Sequence, residues 1–247
     1  MKKGGVGLIG YGRFGRLAAS YCAREAEVHV YDPRVRVRGG GGIRRATLAE
    51  AASQPVVVLA VPISELRGVL RSIRTLVRPG GLVVDVCSVK VFPLGWMNRI
   101  LPPSVSIVGM HPLFGPDSDT GMLRGQRVVV SPSRNGARWM GRIRALARSH
   151  GVRLHVMTPA AHDRLMAETL LLTQYIGRLP RGAGIPERAW STASYGHLRL
   201  IVRTALRDSE QLFVDMWRYN PYGKGTARAL LASHRALLRK TRARIDI

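Results

Sequence analysis

Near its N-terminus the chain reads VGLIGYGRFG over residues 6–15, an apolar run that leads into glycines at positions 10, 12 and 15. Gly10 permits a tight turn, Gly12 leaves the backbone free to approach a pyrophosphate, and Gly15 allows the next helix to pack on the strand. The pattern is informative because it follows a predicted strand and opens a predicted helix. It predicts a dinucleotide-binding turn in which the amides of a helix N-terminus meet the negative charge.

An acidic residue at the end of the second predicted strand indicates which nucleotide is bound. The strand covers Glu27–Tyr31, and Asp32 follows it, 22 residues after Gly10. Its carboxylate can accept hydrogen bonds from both ribose hydroxyls, so we predict NAD. Arg34 and Arg36 lie just beyond and can hold a 2′-phosphate, which keeps NADP as the less favoured alternative. The predicted cofactor contacts are Gly10, Gly12, Arg13, Phe14, Gly15, Asp32, Val61 and Pro62.

The first part of the chain has the pattern of crossover units on a parallel sheet. From Gly5 to about Met157, short β-branched runs alternate with helical periodicity. The predicted strands are Val6–Gly10, Glu27–Tyr31, Pro55–Val61, Leu82–Val86, Val105–Met110, Arg127–Ser131 and Val152–Val156. The predicted helices between them are Arg13–Arg24, Ser64–Val77 and Gly136–His150. These elements predict an α/β fold with a doubly wound Rossmann domain over residues 1–157.

The pattern changes at Thr158, after which β-branched runs disappear and the sequence is helical in character. Thr158 is a predicted N-cap with Pro159 at the first helical position. We predict helices from Thr158 to about Gly177, from Ser191 or Thr192 to Tyr219, and from Thr226 to Arg244. Helices of this length bury little apolar area alone, so they must pack on the first domain or on a second subunit. Residues 158–247 are therefore predicted to form a smaller helical domain that makes a homodimer.

The composition indicates a globular chain with a strongly positive surface. Its 247 residues include 39 basic against 15 acidic side chains, a formal net charge of +24, and 46% hydrophobic residues. Such a charge favours anionic partners, namely nucleic acid, a dinucleotide or a small polyanionic substrate. A compositional bias is the alternative explanation, because only five of the basic residues are lysine.

Location and metal content follow from what the sequence does not contain. No apolar run approaches the roughly 18 to 20 residues that span a bilayer, so no membrane association is expected. The N-terminus has no apolar stretch of the kind that a secretion signal requires. Cys22 and Cys87 have neither the spacing of metal ligands nor that of a disulfide framework. We therefore expect a cytoplasmic protein without a metal site.

Two predicted loops carry side chains suited to acid–base chemistry. One follows the fourth predicted strand and reads DVCSVK (85–90), and the other follows the fifth and reads GMHPLFGP (109–116). In an open parallel sheet both loops emerge at the carboxyl edge, beside the nicotinamide end of a bound dinucleotide. His111 can act there as a base with an ordinary pKa near 6.5, and Ser88 can orient it or the substrate. Alternatively, His111 bonds only a carbonyl of its own loop.

Five segments together resemble the prephenate/arogenate dehydrogenase family of tyrosine biosynthesis. They are GYGRFG (10–15), DVCSVK (85–90), GMHPLFGP (109–116), AHDRLMAETLLLTQYIGR (161–178) and DSEQLFVDMWRYNPYG (208–223). The resemblance implies oxidative decarboxylation of prephenate to 4-hydroxyphenylpyruvate, or alternatively of arogenate to tyrosine. It also implies roles: His111 accepts the proton of the ring hydroxyl as hydride goes to the nicotinamide, and Ser88 hydrogen-bonds that hydroxyl or the imidazole. No metal is required.

The resemblance further implies an arginine for the substrate carboxylate, five residues before an aspartate in the middle helix. Arg203 stands in that relation to Asp208, and Arg199 lies one turn earlier on the same face as a second candidate. Arginine suits planar, bidentate recognition of carboxylates, although either side chain can simply be exposed and solvated. The cationic surroundings favour prephenate slightly, because it carries a second carboxylate beside a keto group.

One departure from the family pattern falls in the first C-terminal helix. The family commonly has a histidine twelve residues after a His-Asp pair, whereas His162-Asp163 leads here to Gln174. Glutamine keeps a donor but does not titrate, so we include Gln174 among the predicted substrate contacts. His162 and Asp163 themselves are predicted to form a hydrogen-bonded pair at the helix start.

Two other classes of protein share part of this pattern. β-Hydroxyacid dehydrogenases resemble only the first half and use a lysine on the first interdomain helix, whereas Thr158–Gly177 contains no lysine. A nucleic-acid-binding protein with a vestigial nucleotide fold is the more distant alternative, because the last helix is rich in arginine. Its leucines give that helix an apolar face, so a dimer helix with a solvated basic side is the simpler account.

Overall fold

The computed structural model of the chain describes residues 5–242, and its first part is an eight-stranded sheet. In chain order the strands are β1 (Val6–Ile9), β2 (Val28–Tyr31), β3 (Ile43–Arg45), β4 (Val56–Leu59), β5 (Leu82–Asp85), β6 (Ser106–Pro112), β7 (Arg127–Pro132) and β8 (Arg153–Val156). The accompanying helices are α1 (Arg13–Cys22), α2 (Leu48–Ala52), α3 (Ile63–Ile73), α4 (Val91–Ile100) and α5 (Met140–Ser149). The strands lie side by side in the order β3-β2-β1-β4-β5-β6-β7-β8.

The strand order reverses at β1, which pairs in parallel with β2 on one side and with β4 on the other. The sheet stays parallel outward to β3 and to β6. In such a sheet a crevice opens beyond the carboxyl ends of the strands at the point of reversal, and ligands bind there. The predicted α/β fold with a doubly wound Rossmann sheet is confirmed.

The core of the sheet is built from β-branched and leucine side chains on both of its faces. One face buries Leu8, Val58 and Val84, which are directly paired positions, and the other face buries Val57 and Val83. Strands that are covered on both faces read as nearly continuous apolar runs, which is why their positions are visible in the sequence.

The parallel prediction is wrong at one edge of the sheet, because β7 runs antiparallel to β6. Parallel neighbours need a crossover, usually a helix, and the segment between these strands forms none. It contains Pro116 and two glycines with positive φ, Gly121 at 75° and Gly125 at 83°. The antiparallel pairing also lengthens β6 beyond the predicted end at Met110, because His111 pairs with Val129. His111 is therefore a strand residue rather than a loop residue.

Three short elements of this part were not predicted: β3, α2 and α4. Helix α2 depends on a capping box, in which the Thr47 side chain accepts from the Glu50 amide at 3.2 Å and Glu50 accepts from the Thr47 amide at 2.7 Å. Helix α4 carries Pro93 in its first turn, where a missing amide hydrogen costs no helical bond. Its side chains Leu94 and Met97 are buried.

The remainder of the described chain is helical. Its elements are α6 (Pro159–Met166), a π-helical turn (Ala167–Leu171), α7 (Leu172–Gly182), α8 (Ala193–Arg207), α9 (Glu210–Tyr219) and α10 (Gly223–Arg242). The first of these helices was predicted to reach about Gly177, with Gly177, Pro180 and Gly182 closing it, and α7 continues through Pro180 and ends at Gly182. The helix predicted to reach Tyr219 is two helices, because Ser209 caps a new start by accepting from the Leu212 amide at 3.1 Å. The last predicted helix begins earlier, at Gly223, and its predicted end at Arg244 lies outside the described residues.

The contact pattern divides the chain into two compact units, with the division after His162. The division predicted from the sequence falls five residues earlier, after Met157. No helix in the described part combines the length and apolar character that crossing a bilayer requires.

Candidate active site

The glycine turn at the end of β1 has the tight geometry that its sequence predicts. Gly10 has a φ of +99°, and a Cβ there would lie 2.3 Å from the carbonyl oxygen of Ala60. A Cβ on Gly15 would lie 2.2 Å from the carbonyl oxygen of Gly10, so α1 packs directly on the turn. Gly12 differs from both, because no atom lies within 4 Å of its Cβ position. Backbone atoms therefore fill the space beside Gly10 and Gly15, whereas the space beside Gly12 is free for a ligand.

The N-terminus of α1 leaves its backbone amides available to an anion. Gly12 is the N-cap, no side chain caps the helix, and the first turn contains no acidic residue. The predicted contacts Arg13 and Phe14 lie in this first turn. Arg13 already donates from Nη2 to Asp117 at 2.7 Å, so an incoming pyrophosphate would compete with that carboxylate.

Asp32 lies beside the turn and is held by three backbone amides. Its Oδ2 accepts from the Tyr11 amide at 2.6 Å, and its Oδ1 accepts from the Arg34 and Val35 amides at 2.8 and 2.9 Å. Burial acts to raise the pKa of Asp32, but these hydrogen bonds lower it below its usual value. An ionised carboxylate has about four acceptor sites, so Asp32 keeps acceptor capacity for the ribose. Binding of both ribose hydroxyls by Asp32 stays a prediction.

The adenosine side of the turn is basic. An open pocket there is lined by Tyr11, Arg16, Arg36 and Arg38. Of the two arginines named for a 2′-phosphate, Arg36 lines this pocket, whereas Arg34 is bound to Glu65. The loop after β4 closes the other side, where the Cγ1 of Val61 lies 3.0 Å from the Cβ position of Gly10, and Pro62 precedes α3.

These features fit a dinucleotide. Gly12 leaves space for a pyrophosphate, the amides of α1 supply donors, and Asp32 retains an acceptor beside them. Asp32 favours the unphosphorylated ribose of NAD, whereas the arginine pocket supplies the positive charge that the 2′-phosphate of NADP would require.

His111 is a buried base candidate on β6, with 7% of its surface exposed. Its Nδ1 lies 2.8 Å from Nε2 of His162, and the two rings meet edge to face with centroids 5.0 Å apart. Its Nε2 makes no hydrogen bond within residues 5–242. Burial first, then His162 and Lys90, hold the pKa of His111 well below 6.5. The expectation of an ordinary pKa is therefore wrong, because the ring is desolvated and lies near a cation.

A buried ion pair lies next to His111. Lys90 and Asp85 are both fully buried and form a close ion pair, and Asp85 Oδ1 also accepts from the Cys87 amide at 3.0 Å. A Cβ on Gly109 would lie 2.9 Å from Lys90 Cδ and 3.1 Å from Asp85 Oδ2, so only glycine fits under the pair. Gly109 and His111 are two residues apart on β6 and face the same side, which places the pair on the side of the imidazole.

Ser88 occupies the loop between β5 and α4 and is half-buried. Its hydroxyl makes no hydrogen bond within the described residues, and His162 rather than Ser88 bonds the His111 imidazole. Ser88 was predicted to bond either the imidazole or the substrate hydroxyl, and the substrate hydroxyl is the partner that we retain.

The two arginines named for the substrate carboxylate converge on one carboxylate of the helical unit. Arg203 donates from Nη2 to Glu187 Oε1 at 2.6 Å, and Arg199 makes a close ion pair with the same oxygen. Hydrogen bonds from Arg199 and Arg203 lower the pKa of Glu187, the bond from Arg199 having the larger effect. The pair is thus already arranged to hold a carboxylate. Sequence reasoning did not identify Glu187, whose exposed loop carries no motif.

Gln174 is buried and already hydrogen-bonded at both ends of its carboxamide. Its Nε2 donates to Asp208 Oδ2 at 2.6 Å, and its Oε1 accepts from Arg178. Arg178 also donates to the Asp208 carbonyl at 3.2 Å, which ties α7 to the corner between α8 and α9. A substrate that bound Gln174 would have to compete with these bonds.

His162 is a functional candidate that the sequence did not connect with His111. A hydrogen-bonded pair of His162 and Asp163 at the helix start stays a prediction. The structure brings His162 of α6 to His111 of β6, 51 residues away in the chain. A contact between a helix and a distant strand is a tertiary contact that no local pattern indicates.

Comparison of the sequence with known families and proteins finds related dehydrogenases. The family profile described as "Prephenate dehydrogenase, nucleotide-binding domain" matches residues 36–156. A probable arogenate/prephenate dehydrogenase of Methanocaldococcus jannaschii is 28% identical over 183 residues, 70% of this chain and 40% of that protein. Arogenate dehydrogenase 2, chloroplastic, of Arabidopsis thaliana is 31% identical over 172 residues, 67% of this chain and 48% of that protein. The chain spans less than half the length of these relatives.

Solved structures of the same fold cover nearly all of the chain. Prephenate dehydrogenase from A. aeolicus, in complex with hydroxyphenyl propionate and NAD+, has a TM-score of 0.74 at 17% identity and covers 98% of this chain and 93% of its own. Synechocystis arogenate dehydrogenase has a TM-score of 0.67 at 17% identity and covers 96% of this chain and 93% of its own. These likenesses confirm the fold predicted from the sequence.

Proposed function

This chain belongs to the prephenate/arogenate dehydrogenase family, and we propose that it catalyses the NAD-dependent oxidative decarboxylation of prephenate to 4-hydroxyphenylpyruvate. One observation carries the proposal: the unit that holds the open glycine turn also holds a buried histidine with one ring nitrogen engaged and the other unbonded. A neutral imidazole of this kind suits the removal of a hydroxyl proton.

The residues that would hold NAD are those of the turn and its neighbours. The pyrophosphate would meet the amides that follow Gly12, with Arg13 released from Asp117, and a ribose hydroxyl would donate to Asp32. When bound, NAD supplies the acceptor for the hydride that leaves the ring carbon bearing the hydroxyl.

His111 accepts the proton of the ring hydroxyl at Nε2. The hydride leaves the same carbon, and carbon dioxide departs from the opposite ring carbon as the ring becomes aromatic. Because its pKa lies well below 6.5, His111 is neutral at physiological pH and ready to accept the proton. Ser88, whose hydroxyl is uncommitted within the described chain, hydrogen-bonds the substrate hydroxyl.

Arg203 and Arg199 bind a substrate carboxylate in place of Glu187. The two guanidinium groups already share one carboxylate oxygen, and a substrate carboxylate presents the same acceptor. Glu187 therefore acts as an internal competitor for the substrate. Gln174 contributes only if its bonds to Asp208 and Arg178 rearrange.

A second copy of the chain covers the apolar surface of the helical unit. Leu200, Leu231 and Leu237 are 66%, 51% and 58% exposed. Burying such side chains favours association, so the chain forms a homodimer through its C-terminal helices. Light scattering on the purified protein tests this, and a monomer at micromolar concentration would exclude it.

The enzyme works in the reducing cytoplasm. No disulfide involves Cys22 or Cys87 within residues 5–242, and burial raises the pKa of Cys22 to about 11, so its thiol is protonated and unreactive. Localisation of a tagged chain by fractionation tests the compartment, and recovery outside the cytoplasm would contradict it.

The experiment that tests the function measures reduced nucleotide with prephenate and with arogenate, each with NAD and with NADP. We expect the highest kcat/KM for prephenate with NAD. A preference for arogenate would replace the substrate and retain the chemistry. No reduction with either acid, together with salt-sensitive binding of nucleic acid, would contradict the enzyme and favour the basic binding protein.

A further inference from the structure

We propose that His162 is a positioning residue that fixes the tautomer of His111, a role that rests on the proposed function of His111 as the base. The bond joins Nδ1 of His111 to Nε2 of His162 at 2.8 Å, a normal hydrogen-bond length, between rings that are both buried. Contact with substrate is not required of His162.

The tautomer decides whether His111 can act. A neutral imidazole carries its hydrogen on one nitrogen and a lone pair on the other. If His162 donated to Nδ1, the hydrogen of His111 would sit on Nε2 and that nitrogen could not accept a proton. When His162 accepts instead, His111 carries its hydrogen on Nδ1 and offers a lone pair at Nε2.

The backbone around His162 keeps its ring in place. The residue lies in the first turn of α6, where its amide donates to the Thr158 carbonyl at 3.0 Å and the Thr158 hydroxyl accepts from the Ala161 amide at 3.2 Å. Its side chain is fully buried, so water cannot replace it as the partner of His111. A buried ring with an engaged nitrogen is poorly placed to exchange partners.

The neighbours of His111 favour its neutral form before reaction. The groups that act on His111 are His162 from α6 and Lys90, which precedes α4 and pairs with Asp85 of β5. The Lys90 charge disfavours a resident proton on His111. During the reaction the imidazolium that forms at His111 donates from Nδ1 to the lone pair of His162, so the same bond orients the base and stabilises its product.

A packing role alone would predict a different result, because the rings also make an edge-to-face contact. An apolar residue of similar size would preserve packing and lose the acceptor. Glutamine reaches about as far as Nε2 of histidine and keeps an acceptor oxygen. The two substitutions therefore separate hydrogen bonding from packing.

The test uses the full chain and the variants His162→Leu and His162→Gln, with His155→Leu on the exposed edge strand β8 as the matched control. Long-range proton–nitrogen NMR of ¹⁵N-histidine-labelled protein identifies the tautomer of His111, and steady-state kinetics give kcat and both KM values. We expect the Nδ1–H form of His111 in the natural chain. In His162→Leu, kcat should fall by roughly 10- to 100-fold while the KM for NAD is unchanged. In His162→Gln, kcat should recover to within about threefold of the natural value.

Two results would overturn the inference: an Nε2–H tautomer of His111 in the natural chain, or a His162→Leu protein that folds and retains full kcat. The NMR measurement needs no turnover and remains decisive if the leucine variant fails to fold. A natural chain that reduces no nucleotide but shows the Nδ1–H form would refute the proposed function while leaving the tautomer assignment intact, so the two failures are distinguishable.

Discussion

The carboxylate of Asp32 accepts a hydrogen bond of 2.6 Å from the backbone amide of Tyr11, which joins the end of β2 to the glycine turn. The residue that we propose to bind the ribose therefore also holds the loop that we propose to receive the pyrophosphate. Two more amides bind the other oxygen, and together they keep the carboxylate charged.

Asp32→Asn should weaken NAD more than NADP. The amide replaces an acceptor with a donor that faces backbone amides, and the loss of charge removes the repulsion of a 2′-phosphate. We expect the Kd of NAD to rise about tenfold or more, with a smaller change for NADP. Calorimetric titration of both nucleotides measures this, with exposed Glu27→Gln as the control. Equal losses would mean that other groups read the ribose.

Gly12→Ala should weaken NAD binding, whereas Gly10→Ala should lower the stability of the fold. Gly12 has an ordinary backbone conformation and open space at its Cβ position, so alanine there should leave Tm unchanged and raise the Kd of NAD about tenfold. Gly10 has a φ of +99° and a carbonyl at 2.3 Å from its Cβ position, so alanine should destabilise the fold by roughly 1–3 kcal/mol or more. Thermal melts and NAD titration test both, and unimpaired binding by Gly12→Ala would place the pyrophosphate elsewhere.

Glu187→Gln should improve apparent substrate affinity. Without its charge the side chain competes less for Arg203 and Arg199, so the KM for prephenate should fall by about two- to fivefold with kcat unchanged. Glu168→Gln, at an exposed position of the same unit, changes net charge equally and should have no effect. Arg203→Ala should raise the KM. An unchanged KM in Glu187→Gln would move the carboxylate site away from this pair.

The pH profile should reflect the lowered pKa of His111. The base acts in its neutral form, so kcat/KM should persist as the pH falls past 6.5 and decline only near the lower folded pKa. Between these two pH values the unfolded chain binds more protons, so the free energy of unfolding should decrease as the pH falls. Kinetics and denaturant titrations from pH 4 to 8 test both, and an acid limb at or above pH 6.5 would show that the imidazole is solvated.

The sheet and the cofactor turn could be predicted because local chemistry determines them. Buried parallel strands are apolar runs, and Gly10 meets a backbone requirement that is visible in the turn sequence. The antiparallel β7 could not be predicted from strand pattern alone, because pairing direction depends on a connection whose glycines form no helix.

The predicted site residues depend on contacts between distant segments, which sequence spacing does not reveal. The partner of His111 is His162, at the start of a helix 51 residues later. The nearby cation is Lys90, and its burial is not visible in the sequence. The family resemblance implied a role for Arg203, but its bond to Glu187 could not be predicted from the sequence. The ordinary pKa expected for His111 failed for the same reason, since burial is a property of the folded chain.

The most direct test of the central claim compares kcat and NAD affinity in His111→Asn. We predict that kcat with prephenate falls by about 10²- to 10⁴-fold while the Kd of NAD changes less than about twofold. The asparagine chain must keep its natural Tm for the comparison to hold. A folded His111→Asn protein with undiminished kcat would contradict the assignment of His111 as the base.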